Sequence, residues 1–160
     1  MDAAILGRQK RVNYQKDWEY TTNSTSTLIT KYIGTATKVV VPNKIEGKPV
    51  IVQNNVNDSS GVFINNQKIT SVTFRSGVKI ANESMYCMFS FCKNLTAVIG
   101  IPNNVTNMWS TFWNCFNLVT VPTLPENATI MRGTFSDCRS LTTAPKIPAN
   151  VTNMIFAFQH

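Results

Sequence analysis

From residue 85 onward the apolar positions recur at a period too long for any single helix or strand. Phe89, Phe112, Phe135 and Phe158 fall 23 residues apart, and the same step separates Met85, Met108, Met131 and Met154. Cys92, Cys115 and Cys138 keep that phase, as do Leu95, Leu118 and Leu141, and Pro102, Pro125 and Pro148. Laying Met85–Asn107 over Met108–Ile130 gives 9 identities in 23, and laying the second block over Met131–Asn153 gives 10. A fixed period of this length marks a stack of structural repeats.

A more divergent copy precedes these once a step of 26 residues is allowed. Phe63, Ile69 and Val72 then match Phe89, Leu95 and Val98, and Asn66 takes the Cys position. Further upstream, Val39–Pro42 and Pro49–Val52 have the β-branched character of strands and open the stack near Val39. One 23-residue coil cannot bury its own apolar face, whereas stacked coils set each Phe, Cys and Leu against its copies and build a continuous core. Within a coil, Leu95–Val98 is expected to be a short strand. Pro102 turns the chain toward a second extended piece near Val105–Thr106, and the segment from Met108 to Cys115 returns as a turn or one short helical turn.

The unit Phe-x-x-Cys-x-x-Leu-x-x-Val, followed by Ile-Pro-x-x-Val-Thr, resembles the BspA-like leucine-rich repeats of bacterial and protozoan surface proteins. Trp18, Tyr20, Ile29–Tyr32, Gly34, Val39–Pro42 and Ile45–Val50 are similar to the amino-terminal module of that family. The resemblance covers Trp18 to His160. It implies an α/β repeat solenoid, a leucine-rich-repeat stack of short parallel strands, mostly β and irregular with little helix. Residues 1–17 form a polar basic lead-in, 18–62 the amino-terminal opening module and first coil, and 63–160 the repeats of 23 to 26 residues, the last incomplete.

Members of that family are mostly surface-exposed or secreted, and those with assigned roles work in adhesion and host interaction. The resemblance therefore implies a non-catalytic module that recognises a protein or glycan partner at a cell surface. Met1–Leu6 is too short for a signal-peptide core. A part carried on a virion, such as a phage-tail attachment or receptor-binding component, is accordingly the alternative, with a structural spacer as another. The next Cys would fall one position past His160, so the stack is expected to leave an uncapped apolar end for a neighbouring chain or further sequence to cover.

Composition narrows the function. The net charge of +7 favours acidic partners, yet the positive charges are scattered, and Arg8, Lys10, Arg11 and Lys16 form the only local cluster. No recognised motif accompanies that cluster, so no nucleic-acid partner is expected. No apolar run approaches the roughly 18 residues of a membrane-spanning helix, which predicts no membrane insertion.

Catalysis is not expected. The single histidine is the terminal residue, and the eight carboxylates (Asp2, Asp17, Glu19, Glu46, Asp58, Glu83, Glu126 and Asp137) share no phase from which an acid and base pair could be drawn. Cysteines at 23-residue spacing lack the close pairs of a zinc site, Cys87 with Cys92 makes only a weak C-x4-C, and no metal or other cofactor is predicted. Stacking would set Cys92, Cys115 and Cys138 about 5 Å apart with side chains pointing the same way. They are expected to be free thiols serving as small core residues. Asn94, Asn104, Asn127 and Asn150 each begin an Asn-x-Thr triplet. Three of them keep the repeat phase, which predicts hydrogen bonding along the stack in preference to glycosylation.

The alignment of coils also picks out exposed positions, because a position that carries charge in one coil is seldom buried in the next. Phe116 aligns with Lys93 and Arg139, Trp113 with Ser90 and Ser136, and Trp109 with Tyr86, Arg132 and Ile155. Exposed aromatics with arginine are typical anchors of interfaces. Trp109, Trp113, Phe116, Arg132, Arg139 and Lys93 are therefore the candidate partner-binding residues; the alternative is that these side chains pack locally against neighbouring coils.

Overall fold

The computed structural model describes residues 13–54, 61–120 and 122–160. Arg8, Lys10 and Arg11 of the basic cluster lie outside them, as does most of the lead-in.

The amino-terminal part is a mixed sheet. Strand β1 (Trp18–Thr22) pairs antiparallel with β2 (Thr27–Tyr32) through a turn in which the Asn23 carboxamide oxygen accepts the N–H groups of Thr25 (2.8 Å) and Ser26 (2.9 Å). Strand β3 (Lys38–Val41) leaves this sheet, while β4 (Lys44–Ile45) and β5 (Lys48–Val52) form a second hairpin. Its two-residue loop, Glu46-Gly47, has φ of 53° and 79°, and glycine meets the second of these left-handed positions without strain. From β2 the pairing becomes parallel, to β5 and then to β7 (Lys79–Ile80).

On the other side of each coil, β3, β6 (Ser71–Phe74) and β8 (Ala97–Ile99) form an all-parallel ladder in which Val39, Val72 and Val98 lie in register. Alternation turns these valines, with Val41 and Phe74, into the core, and leaves Val40 and Ile99 exposed. The 26-residue step is thus a spatial register: Val72 pairs with Val98 and Phe63 stacks on Phe89. Later coils keep single parallel bridges, Ser84 to Asn107, Asn107 to Ile130 and Ile130 to Asn153.

Three expectations need correction. The strands are not all parallel, because the hairpins β1–β2 and β4–β5 reverse the chain before the stack begins. The strand placed at Leu95–Val98 starts at Ala97; the Leu95 N–H is already committed to a turn, donating to the Cys92 carbonyl at 3.0 Å. The α part of the α/β class is also missing: among the described residues the only helical pieces are two 3-10 turns, Tyr14–Lys16 and Ala81–Glu83.

The return segment is a run of overlapping turns. The N–H groups of Met88, Ser90 and Cys92 donate three residues back within their own coil. Those of Met85, Cys87, Phe89 and Phe91 donate instead to the carbonyls of Asn107, Trp109, Thr111 and Trp113 in the next coil. An α-helix keeps its donors to itself, so this sharing of alternate N–H groups excludes one. Positive φ at Cys87 and Phe91, repeated at Ser110 and Asn114 and at Gly133 and Asp137, breaks the winding at the same places in every coil.

The core is the predicted set of columns. Phe63, Phe89, Phe112, Phe135 and Phe158 stack with ring centroids 5.2, 5.6, 5.4 and 5.5 Å apart and planes within 12° of parallel. Met85, Met108 and Met131 are buried beside them, with Leu95 and Leu118. The three phased cysteines are buried and free, and each thiol donates to a carbonyl of the preceding coil: Cys92 to Phe63 at 3.0 Å, Cys115 to Phe89 at 3.1 Å and Cys138 to Phe112 at 3.1 Å. Cysteine suits this position because it is small, mostly apolar and still carries a donor. The asparagines behave alike on the surface, where the side-chain amides of Asn104, Asn127 and Asn150 donate to the backbone of the coil before, at Ile80, Asn103 and Glu126.

Candidate functional site

Equal coil lengths place equal phases above one another, so the candidate residues fall into columns along the stack axis. Tyr86, Trp109 and Arg132 make one column: the Tyr86 and Trp109 rings meet edge to face at 5.3 Å, and the Arg132 guanidinium lies 5.0 Å from the Trp109 ring centre. Lys93, Phe116 and Arg139 make another, in which the Phe116 ring holds the Lys93 ammonium at 5.8 Å and the Arg139 guanidinium at 4.8 Å. Such cation–aromatic contacts are worth about 0.5–1 kcal/mol each at exposed sites. Local packing between coils is thus a real part of what these side chains do.

Three of the six line a common trough. Trp109, Trp113 and Arg132 surround a single trough of about 170 Å³, together with Gly133, Ser136 and Phe156, whereas no member of the Lys93–Phe116–Arg139 column lines it. Trp109 and Trp113 keep 39% and 38% of their surface exposed although both are braced, Trp109 by Tyr86 and Trp113 by Phe91, whose ring lies 4.8 Å away at 61°. Phe116 is half-buried between its two cations.

Gly133 was not among the residues singled out by sequence, and it opens the trough. Its phase is held by Cys87, Ser110 and Phe156 in the other coils, all with positive φ, so the backbone there does not itself demand glycine. A Cβ on Gly133 would sit 3.3 Å from the Ser110 hydroxyl oxygen, inside the trough. The break in phase from side chain to hydrogen was readable in the repeat alignment. Ser110 and Ser136 are the further small residues of its lining.

The electrostatics of this face are positive. Arg139 pairs with Asp137 at 3.2 Å, but among the described residues the Arg132 guanidinium has no carboxylate partner, and no acidic side chain lines the trough. The Cys87 group beside it, and then burial, raise the Tyr86 phenol above its ordinary range, so it stays neutral. In the core, burial pushes the thiols of Cys92 and Cys138 up to about 12, and that of Cys115 well above its usual value. A protonated thiol is neither a nucleophile nor a metal ligand, so at neutral pH these columns pack and donate hydrogen bonds. Among the described residues no group of three or more His, Cys, Asp and Glu is placed to hold a metal ion, and no helix is long and apolar enough to cross a membrane.

The chain is similar to two solved leucine-rich-repeat proteins. With a T. pallidum leucine rich repeat protein it shares 22% identity and a TM-score of 0.64 over 86% of this chain and 61% of that one, which shows a common fold. With a leucine rich cell surface protein from Faecalibacterium prausnitzii A2-165 it shares 22% identity over 86% of this chain and 48% of that one, at a TM-score of 0.35. The chain thus spans less than two thirds of the length of either. No curated protein matches it in sequence. The family model of the BspA type leucine rich repeat region matches residues 43–142 in 6 copies, over the same coils that carry the Phe, Cys and Met columns. The chain belongs to the BspA-type leucine-rich-repeat family.

Proposed function

We propose that this chain is a non-catalytic adhesion module, a short solenoid that recognises a protein or glycan partner at a cell surface through the Trp109–Trp113–Arg132 face. The observation that carries this reading is a pair of tryptophans, each over a third exposed yet braced by a neighbouring ring, flanking a trough beside an arginine that has no carboxylate partner among the described residues. Tryptophan and arginine dominate the binding energy of interfaces, and side chains fixed before binding lose little entropy on complex formation. Membership of a family of surface proteins supports the location. The non-catalytic reading draws support from the protonated core thiols and from carboxylates scattered over unrelated phases.

The test is an array of host glycans and extracellular matrix proteins probed with wild type and with a Trp109→Ala, Trp113→Ala double variant whose unfolding midpoint has been checked. The variant is expected to lose binding at least about tenfold, as hot-spot truncation does. Equal signals from the two proteins would overturn the assignment of this face.

A further inference from the structure

We propose that the trough over Gly133 takes a single carboxylate-bearing sugar ring, of the uronic-acid or sialic-acid class, at the end of an acidic glycan. This rests on the reading of the Trp109–Trp113 face as the partner-binding face.

Size is the first constraint. About 170 Å³ is well below the roughly 300–1,000 Å³ of pockets that enclose drug-sized ligands, so the trough admits one ring and not a folded segment. An extended peptide is bound by adding to a sheet edge or by lying along a groove of several residues, and this trough is confined to three successive coils. Its lining supplies the contacts a pyranose needs. Phe91 braces Trp113 from the preceding coil, while the residue of the same phase in the following coil is only Ser136, which leaves indole surface toward the trough. The electron-rich indole face suits the weakly positive C–H face of a sugar ring. Ser110, Ser136 and Gln159 bring hydroxyl and amide groups to the rim for the sugar hydroxyls.

The acidic character comes from Arg132. Its guanidinium lies over the Trp109 ring, 5.0 Å from the ring centre, a contact that leaves its N–H groups unused. Asp137 neutralises Arg139, but among the described residues nothing acidic lines the trough to neutralise Arg132, and the chain as a whole carries +7. A pre-positioned planar fork of N–H donors is the standard partner of a carboxylate, and such a charge-assisted pair selects strongly against a neutral analogue.

Binding of the intact chain is measured by calorimetry to sialyllactose and to a glucuronate-terminated disaccharide, with lactose and a glutamate-rich, tryptophan-containing peptide as the contrasting arms. At least one acidic sugar is expected to bind about tenfold or more tighter than lactose, the discrimination of one charge-assisted hydrogen bond. Arg132→Gln is expected to erase that preference while leaving the fold intact. Gly133→Asn, which the left-handed backbone tolerates, is expected to fill the trough and abolish sugar binding.

Equal affinity for lactose and both acidic sugars, no binding of any sugar, or acidic-sugar binding that survives Gly133→Asn would each overturn the proposal; the last would be adsorption to net positive charge. If the peptide, or a protein of the array, binds in a Trp109- and Trp113-dependent way and the sugars do not, the sugar assignment fails and the partner-binding face stands. If removing both tryptophans changes no binding at all, both fail together.

Discussion

The two ends of the phenylalanine column make an instructive contrast. Phe63 is 1% exposed and Phe158 is 36% exposed, although each stacks on its inner neighbour at nearly the same distance, 5.2 Å and 5.5 Å. The difference comes from what covers the outer ring face. Over Phe63 lie Trp18 at 6.0 Å and Tyr32 at 5.8 Å, brought there by the antiparallel hairpin β1–β2. Phe158 meets Phe135 on one side, and in its coil Met154, Ile155 and Phe156 are exposed as well. The coils thus bury one another's rings, and at Phe63 the cover is a separate, non-repeating element, the β1–β2 hairpin.

The sharpest way to break that contrast is to truncate the same side chain at two heights. Phe112→Ala, inside the column, is expected to cost about 3–5 kcal/mol of unfolding free energy, the usual cost of emptying a core aromatic site. Phe158→Ala is expected to cost about 1 kcal/mol or less, since its ring is already partly solvated and its neighbours are exposed. Urea titration of both variants measures the two losses. Equal losses would show that cover does not govern stability along the stack.

How much of this could be read beforehand follows from the same contrast. Stacking converts a sequence period into a spatial column, so Phe89, Cys115, Met131 and the 26-residue step to Phe63 were legible from spacing alone. The hairpins were not, because β1–β2 and β4–β5 occur once each and leave no phase to detect. Nor was the turn ladder, since cysteine, phenylalanine and serine at Cys87, Phe91 and Ser110 carry no local sign of positive φ; the inter-coil hydrogen bonds hold them there. In the candidate site, phase gave each residue's column and exposure but not which columns lie side by side around the coil. Hence Trp109, Trp113 and Arg132 share a trough that Phe116, Lys93 and Arg139 do not line.

The thiols probe the covered interior by pH. Burial holds Cys92 and Cys138 at about 12, whereas in the unfolded chain a thiol titrates near about 8.5. The folded state thus keeps a proton that the unfolded state has lost, so stability is complete below about pH 8.5 and falls as pH rises toward the folded value. Each such thiol contributes a slope of roughly 1.4 kcal/mol per pH unit in that window. Cys92→Ser keeps a small donor without a group that titrates there, and its stability is expected to decline less steeply than that of wild type between pH 9 and 11. Parallel declines would mean that the Cys92 thiol is not held in its protonated form. In the same protein a thiol reagent at neutral pH should modify the partly exposed Cys87 and spare the three buried thiols until denaturant is added.

The smallest effects should grade along the surface asparagine ladder. Asn104 makes two bonds to Ile80, donating to its carbonyl at 2.7 Å and accepting its N–H at 3.1 Å. Asn127 makes one at 2.8 Å to Asn103, and Asn150, farthest along the ladder, one at 3.2 Å to Glu126. A net hydrogen bond is worth about 1 kcal/mol and less where water competes freely. Alanine at Asn104 is therefore expected to cost most, about 1–2 kcal/mol, at Asn127 about 1, and at Asn150 about 0.5 or less. Chemical denaturation of the three variants gives the order directly. A reversed order would mean that these amides stabilise through their own turns, because only bonds between coils should weaken with distance from the covered end.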